Sequence, residues 1–213
     1  MIEPALWGEL NFLAGPLCVR CGFPLPDDVG PRAVCGACAG REPAYDSARS
    51  ALAYDDHARR LILDLKRGGR RDGLALFSRW MEAAAGEALA KADYLAPAPM
   101  HWTRLAVRSF NQAAWLTQAL ARHAGKPWRP GALRRVKRRK SQEGLSASER
   151  RRNVGGALKA WGRHDGKTIL VVDDVFTTGA TLEACARALR KAGAAEVHAV
   201  TLARVVRPAD ILI

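Results

Sequence analysis

Two adjacent carboxylates, Asp173 and Asp174, close an apolar run (Thr168, Ile169, Leu170, Val171, Val172), and Val175, Phe176 and the small residues Thr177, Thr178, Gly179, Ala180 and Thr181 follow at once. Where such a loop opens a helix, the small side chains let the free N–H groups of the first turn, at the positive end of the helix dipole, approach an anion. A phosphate fits there, and the threonine hydroxyls can add donors. The two aspartates cannot bond the same phosphate, because anion beside anion is repulsive at this range. Hydroxyls or a metal are their expected partners, so the pair and the loop together describe a site for a sugar phosphate. The plain alternative is a strand end with solvated acids and a threonine cap. Against it stands the order of the parts, which is the order that a ligand site at the carboxyl end of a strand requires.

A second constellation lies near the N-terminus, where four of the five cysteines form two pairs, Cys18-x-x-Cys21 and Cys35-x-x-Cys38. Turn-forming Pro24, Pro26, Asp27, Asp28 and Gly30 lie between them. Thiolates two residues apart in a tight knuckle converge on one ion, and two knuckles supply the four sulfurs of a tetrahedral zinc site. A redox-active or iron–sulfur site is the rival, and the two-plus-two spacing favours a zinc ribbon. With every position filled by protein, the metal is expected to be structural and to hold together a segment too short to fold on its own core. The fifth, Cys185, falls on an apolar helical stripe and reads as a small buried hydrophobe.

The elements that must position these groups follow from periodicity. The unalternating run 168–172 predicts a buried strand of a parallel sheet, and Leu182, Cys185, Ala186 and Leu189 predict a helix closed by Gly193. Upstream, Leu6, Trp7, Leu10, Phe12 and Leu13 predict a short amphipathic helix within a first unit, 1–44. A strand is expected over 50–54, then a helix opened by Asp55 and Asp56 that runs to Lys66 beside a glycine turn, and a second helix over 73–91. Residues 94–100 read as a strand entering a proline-fixed loop at Pro97 and Pro99. Beyond it, Arg104 and Arg108 lie one helical turn apart, and Asn111 and Gln112 head a helix ending at Gly125. Two more strands are expected over 154–161 and 194–203, with 204–213 as a tail. Ahead of both stands the most basic stretch, 129–152, with Arg134, Arg135, Lys137, Arg138, Arg139 and Lys140, expected as an exposed connection that is either a solvated charge run or a lid able to close over an anion. The fold class is therefore α/β, a parallel sheet flanked by helices over 45–213, carrying a small N-terminal zinc ribbon.

With 34 Lys and Arg against 21 Asp and Glu, the 213-residue chain has a formal charge of +13, which points to a polyanionic or anionic partner. Abundant Arg and Ala also fit the usage of a GC-rich genome, in which case the charge is incidental. At 48% hydrophobic content the chain can bury a sizeable core. No run of about 18 apolar residues occurs, so membrane insertion is not expected. Met1-Ile2-Glu3-Pro4 lacks the regions of a signal peptide, and a cytoplasmic location is the expectation.

The segment 173–181 resembles the phosphoribosyl pyrophosphate (PRPP) loop of type I phosphoribosyltransferases. Taken with the paired cysteines, Ala53-Tyr54, Leu65-Lys66, Pro97-Ala98-Pro99-Met100, Arg104, Arg108-Ser109-Phe110-Asn111-Gln112, Gln142, Leu145-Ser146, Glu149-Arg150 and Asn153-Val154, nearly the whole chain is similar to the ComF family. Ala98, Met100 and Ser109 stand where that family usually has Val, Leu and Gly, and Phe176 where small or aliphatic residues are common in the loop. The resemblance implies that Asp173 and Asp174 hold the ribose of PRPP, and that Val175, Thr177, Thr178, Gly179, Ala180 and Thr181 wrap its 5′-phosphate. It further implies that Lys66, Pro99, Arg104 and Arg108 face the pyrophosphate, with magnesium accompanying it, and that 142–153 lies on or near a flexible loop. By the same likeness the partners are PRPP, single-stranded DNA taken up in natural competence, and other competence proteins. An enzyme would displace pyrophosphate from C1 of PRPP with a nitrogen nucleophile, with Asp173, Asp174, Lys66, Arg104 and Arg108 as its catalytic groups. A binding protein would keep the site and use it, or the basic surface, in handling DNA. A zinc module on a degenerate domain ranks last, since it would not be expected to keep the loop.

Overall fold

The computed structural model describes residues 8–27, 29–67, 73–100, 111–136 and 158–206, the side chains of 64–67 excepted. Four strands form one parallel sheet: β1 (Ser47–Ala53), β2 (Tyr94–Pro97), β5 (Thr168–Phe176) and β6 (Glu196–Arg204), in the order β1-β6-β5-β2. A two-stranded antiparallel ribbon, β3 (Leu133–Arg135) with β4 (Leu158–Ala160), stands beside it. The helices are α1 (Gly36–Gly40), α2 (Asp56–Arg67), α3 (Leu74–Lys91), α4 (Gln112–His123) and α5 (Ala180–Lys191).

Both faces of β5 are covered, which is why its sequence shows no polar alternation. Leu170 and Val172 join Val200 and Leu202 of β6 under α2, α3 and α4, through Ile62, Met81, Leu116 and Leu120. Ile169 and Val171 point the other way, with Val197 and Ala199, against Leu182, Cys185, Ala186 and Leu189 of α5. Each of the Leu, Ile, Val and Met side chains among these contributes on the order of 1.5–3 kcal/mol by its burial. Cys185 is fully buried there, and burial first, then the nearby Asp173 charge, pushes its thiol well above the ordinary range. The cysteine knuckles share this second cluster, so they pack on the sheet.

Two expectations need correction. Residues 8–13 are not helical: Phe12 bridges Leu52 in antiparallel fashion, Leu13 N–H donates to the Ala51 carbonyl, and Ala53 N–H donates to the Asn11 carbonyl. An edge strand leaves a row of unpaired backbone groups, and this segment satisfies those of β1. Arg204 is not the start of a tail but the last residue of β6, 4% exposed. The remaining boundaries differ by a few residues from expectation, and the strand carrying the acids continues through them to Phe176 because Val175 and Phe176 still pair with Ala203 and Arg204. The expected loop at 142–153 lies outside the described residues, as does Ser109.

Candidate functional site

Asp173 and Asp174 occupy the carboxyl end of β5, the central position between β6 and β2. Both are partly buried. Asp173 accepts the Asp174 N–H at 2.9 Å and Asp174 accepts the Val175 N–H at 2.8 Å, so one oxygen of each carboxylate is held by the backbone that follows it. Thr177 and Thr178 are exposed, and Gly179 then adopts φ 75°, the left-handed region, as the N-cap of α5. Glycine is required there twice over, since a Cβ would also meet Cζ of Phe176 at 2.9 Å. The chain turns sharply at this residue and its carbonyl accepts the Glu183 N–H at 2.8 Å, so α5 begins immediately with its first-turn amides beside the loop.

The proline loop reaches the same end of the sheet. Ala98 N–H donates to the Val172 carbonyl at 2.8 Å, which carries the 97–100 segment past the end of β2 alongside the acidic pair. Asn111 fixes it from the other side: its Nδ2 donates to the Ala98 carbonyl at 3.1 Å while its Oδ1 accepts the Ala113 N–H and caps α4. Arg135 of β3 adds a third tie, donating from Nε to the Pro99 carbonyl at 3.2 Å. Gln112 beside it is 1% exposed, and neither of its amide atoms has a hydrogen-bond partner among the described residues. Asn111 and Arg135 received no positioning role from the sequence, because a cap is visible there only as a residue type and a bond to a loop carbonyl leaves no pattern. Of the other expected groups, Lys66 lies in the last turn of α2, and Arg104 and Arg108 lie outside the described residues.

The four cysteine sulfurs of Cys18, Cys21, Cys35 and Cys38 lie within 4.8 Å of one another and are buried. Cys21 Sγ and Cys35 Sγ are 3.6 Å apart, close to the edge of a tetrahedron of sulfurs about 2.3 Å from a central zinc. The Cys21 N–H turns back on Cys18 Sγ at 3.5 Å, the knuckle geometry that spacing required. Thiol contacts from Cys21 and Cys38 hold Cys18 far below the usual thiol range, while its contact with Cys18 pushes Cys21 up to about 11. Four buried sulfurs this close together fit a metal that takes thiolates. Gly22 follows at φ 68°, and a Cβ there would meet the Ala48 carbonyl oxygen at 2.6 Å, so the knuckle lies flat on β1.

Comparison with known proteins decides the kinship. The chain is 31% identical over 193 residues to the DNA utilization protein YhgH of Escherichia coli (strain K12), covering 88% of this chain and 84% of that protein. It is 30% identical over 197 residues to competence protein F of Haemophilus influenzae, covering 89% of this chain and 85% of that protein. This chain belongs to the ComF family. Competence protein ComFC of Bacillus subtilis is 29% identical over 205 residues, 92% of this chain and 81% of that protein. Residues 112–210 match the phosphoribosyl transferase domain, so in this ComF-family chain the matched part runs from α4 to the end of the sheet and includes the acidic pair and loop. The orotate phosphoribosyltransferase of Aeropyrum pernix overlaps with a TM-score of 0.40 at 21% identity, covering 73% of this chain and 68% of that one, too loose an overlap to assign anything. Among the described residues no helix is long and apolar enough to cross a membrane.

Proposed function

We propose that this chain is a PRPP-binding protein of natural competence that works, in the cytoplasm, on incoming single-stranded DNA. The observation that carries the PRPP reading is the convergence of two loops on one sheet end. An acidic pair and a left-handed glycine turn leave β5, while a proline loop tied by Asn111 and Arg135 leaves β2 beside them. In this reading Asp173 and Asp174 hold the ribose hydroxyls, and Val175 with residues 177–181 surrounds the 5′-phosphate at the start of α5. By the family resemblance, Pro99, Lys66, Arg104 and Arg108 are the groups assigned to the pyrophosphate. Magnesium bound with PRPP supplies charge neutralisation at the pyrophosphate, and zinc on the four cysteines holds the 1–44 segment to the 45–213 domain. Where transfer to a nitrogen nucleophile follows, the C1–O bond to pyrophosphate breaks as the C1–N bond forms, and the nucleophile releases a proton. The acidic pair then favours the cationic sugar and the basic groups the departing pyrophosphate, each fixed group of this kind contributing roughly 10²-fold or more.

The names of the relatives support the DNA side, as does the surface that the ribbon presents. Arg134 lies 4.8 Å over the ring of Trp161, which is 65% exposed, at the foot of the basic run. Aromatic and guanidinium planes on a basic surface suit stacked bases of a single strand. The PRPP reading is tested by thermal melting. PRPP with magnesium is expected to raise the melting temperature of the wild type by mass action, and Asp173→Ala/Asp174→Ala is expected to abolish the shift. An equal shift in the double variant removes the ribose assignment.

A further inference from the structure

Arg204 is a buried cation that neither the ligand site nor the cysteine centre accounts for by itself. It ends β6, is 4% exposed, and donates from Nη1 to the Cys21 carbonyl at 2.5 Å, inside the first knuckle. Its guanidinium lies 5.0 Å from the ring centre of Phe23, just past that knuckle, and 4.6 Å from the ring centre of Phe176. Phe176 is the last residue of β5, and its ring is what a Cβ on Gly179 would strike. The contacts therefore run without a gap from Cys21 and Phe23 through Arg204 and Phe176 to the left-handed residue of the loop. A guanidinium over aromatic rings is attracted to their faces, and such contacts are worth more when desolvated. The backbone supports the same arrangement, since Val205 N–H donates to the Phe176 carbonyl at 2.9 Å and Tyr54 N–H to the Arg204 carbonyl at 2.6 Å. A second tie enters α5 from the same segment: Glu183, in the first turn, accepts the Ala44 N–H at 2.7 Å.

We propose that Arg204 is a positioning residue that couples the cysteine centre to the 177–181 loop, so that a metal on the four sulfurs keeps that loop in its ligand-ready form. The inference rests on the PRPP reading for its consequence but not for its geometry. Loss of the metal frees the knuckle, the Cys21 carbonyl and Phe23 leave the guanidinium, and the ring beneath Gly179 loses its backing. By reciprocity of linked binding, a ligand that orders the loop also tightens the metal.

The test uses the full-length, zinc-loaded chain and reads amide hydrogen exchange of residues 177–181 together with zinc content. Arg204→Met is expected to retain about one zinc per chain and to speed exchange of these amides by about tenfold, with β2 and residues 168–172 of β5 unchanged. Stripping zinc from the wild type with a chelator is expected to speed the same amides, and stripping it from Arg204→Met to add nothing there. Should Arg204→Met not fold, Phe176→Leu removes the ring under Gly179 while leaving the bond to Cys21, and carries the same readout. Unchanged loop exchange in the variant, or an increase spread evenly over the sheet, overturns the proposal. PRPP affinity, measured on the same samples, is expected to fall about tenfold in the variant. If the wild type binds no PRPP, the ligand reading fails, and loop exchange still decides the coupling.

Discussion

Gly179 carries more of the site than its lack of a side chain suggests. Its φ of 75° sets the last step of the short connection from β5 to α5, and the Phe176 ring fills the place a Cβ would take. Gly179→Ala is therefore expected to lower stability by about 1–3 kcal/mol, read as a fall in the urea midpoint, and to remove the PRPP-dependent rise in melting temperature even where the variant remains folded. A full PRPP shift in this variant would show that the turn is not part of the ligand site. The glycine was visible in the sequence as a loop residue, whereas the reason it cannot be replaced was not, because the Phe176 ring reaches it only through the fold. Phe176 backs that glycine on one side and meets Arg204 on the other.

At the scale of elements, the site depends on how α4 begins. Asn111 is at once the cap of that helix and the donor that holds the Ala98 carbonyl, so one side chain joins a helix start to the loop after β2. Asn111→Ala is expected to cost about 1 kcal/mol from the lost cap and to weaken PRPP. Asn111→Ser, which can cap but has no amide to donate to Ala98, is expected to recover the urea midpoint and not the affinity. Equal recovery of both would mean that the cap alone matters. The strand and helix types were legible because burial on both faces of β5 and one-sided burial of α5 leave different apolar periods. The first segment misled for the same reason. Five apolar residues at mixed spacing suit a helix by pattern, yet the open edge of β1 offered hydrogen bonds that a free helix could not match.

For the whole molecule, charge is the property that distance does not hide. A chain of +13 with six basic residues among positions 134–140 is expected to bind single-stranded DNA with an affinity that falls steeply with salt. Replacing Lys137, Arg138 and Arg139 by Ala should flatten the logarithmic salt slope by about 2, measured by fluorescence anisotropy with a labelled oligonucleotide. A salt-independent interaction, or none, would assign the charge to composition. The sequence by itself determined the acidic pair, the small-residue loop, the paired cysteines and the parallel α/β class, since each is written in neighbouring residues or a local period. Tertiary structure alone decided that Asn111 and Arg135 hold the proline loop against the acids, that residues 11–13 complete a sheet edge, and that Arg204 lies between Phe23 and Phe176. Those contacts join residues far apart in the chain, and a buried arginine whose partners are a carbonyl and two rings leaves no spacing to read. They exist because the sheet brings the ends of β5 and β6 beside the knuckle, where a desolvated guanidinium must find a hydrogen bond and apolar faces or not be buried at all.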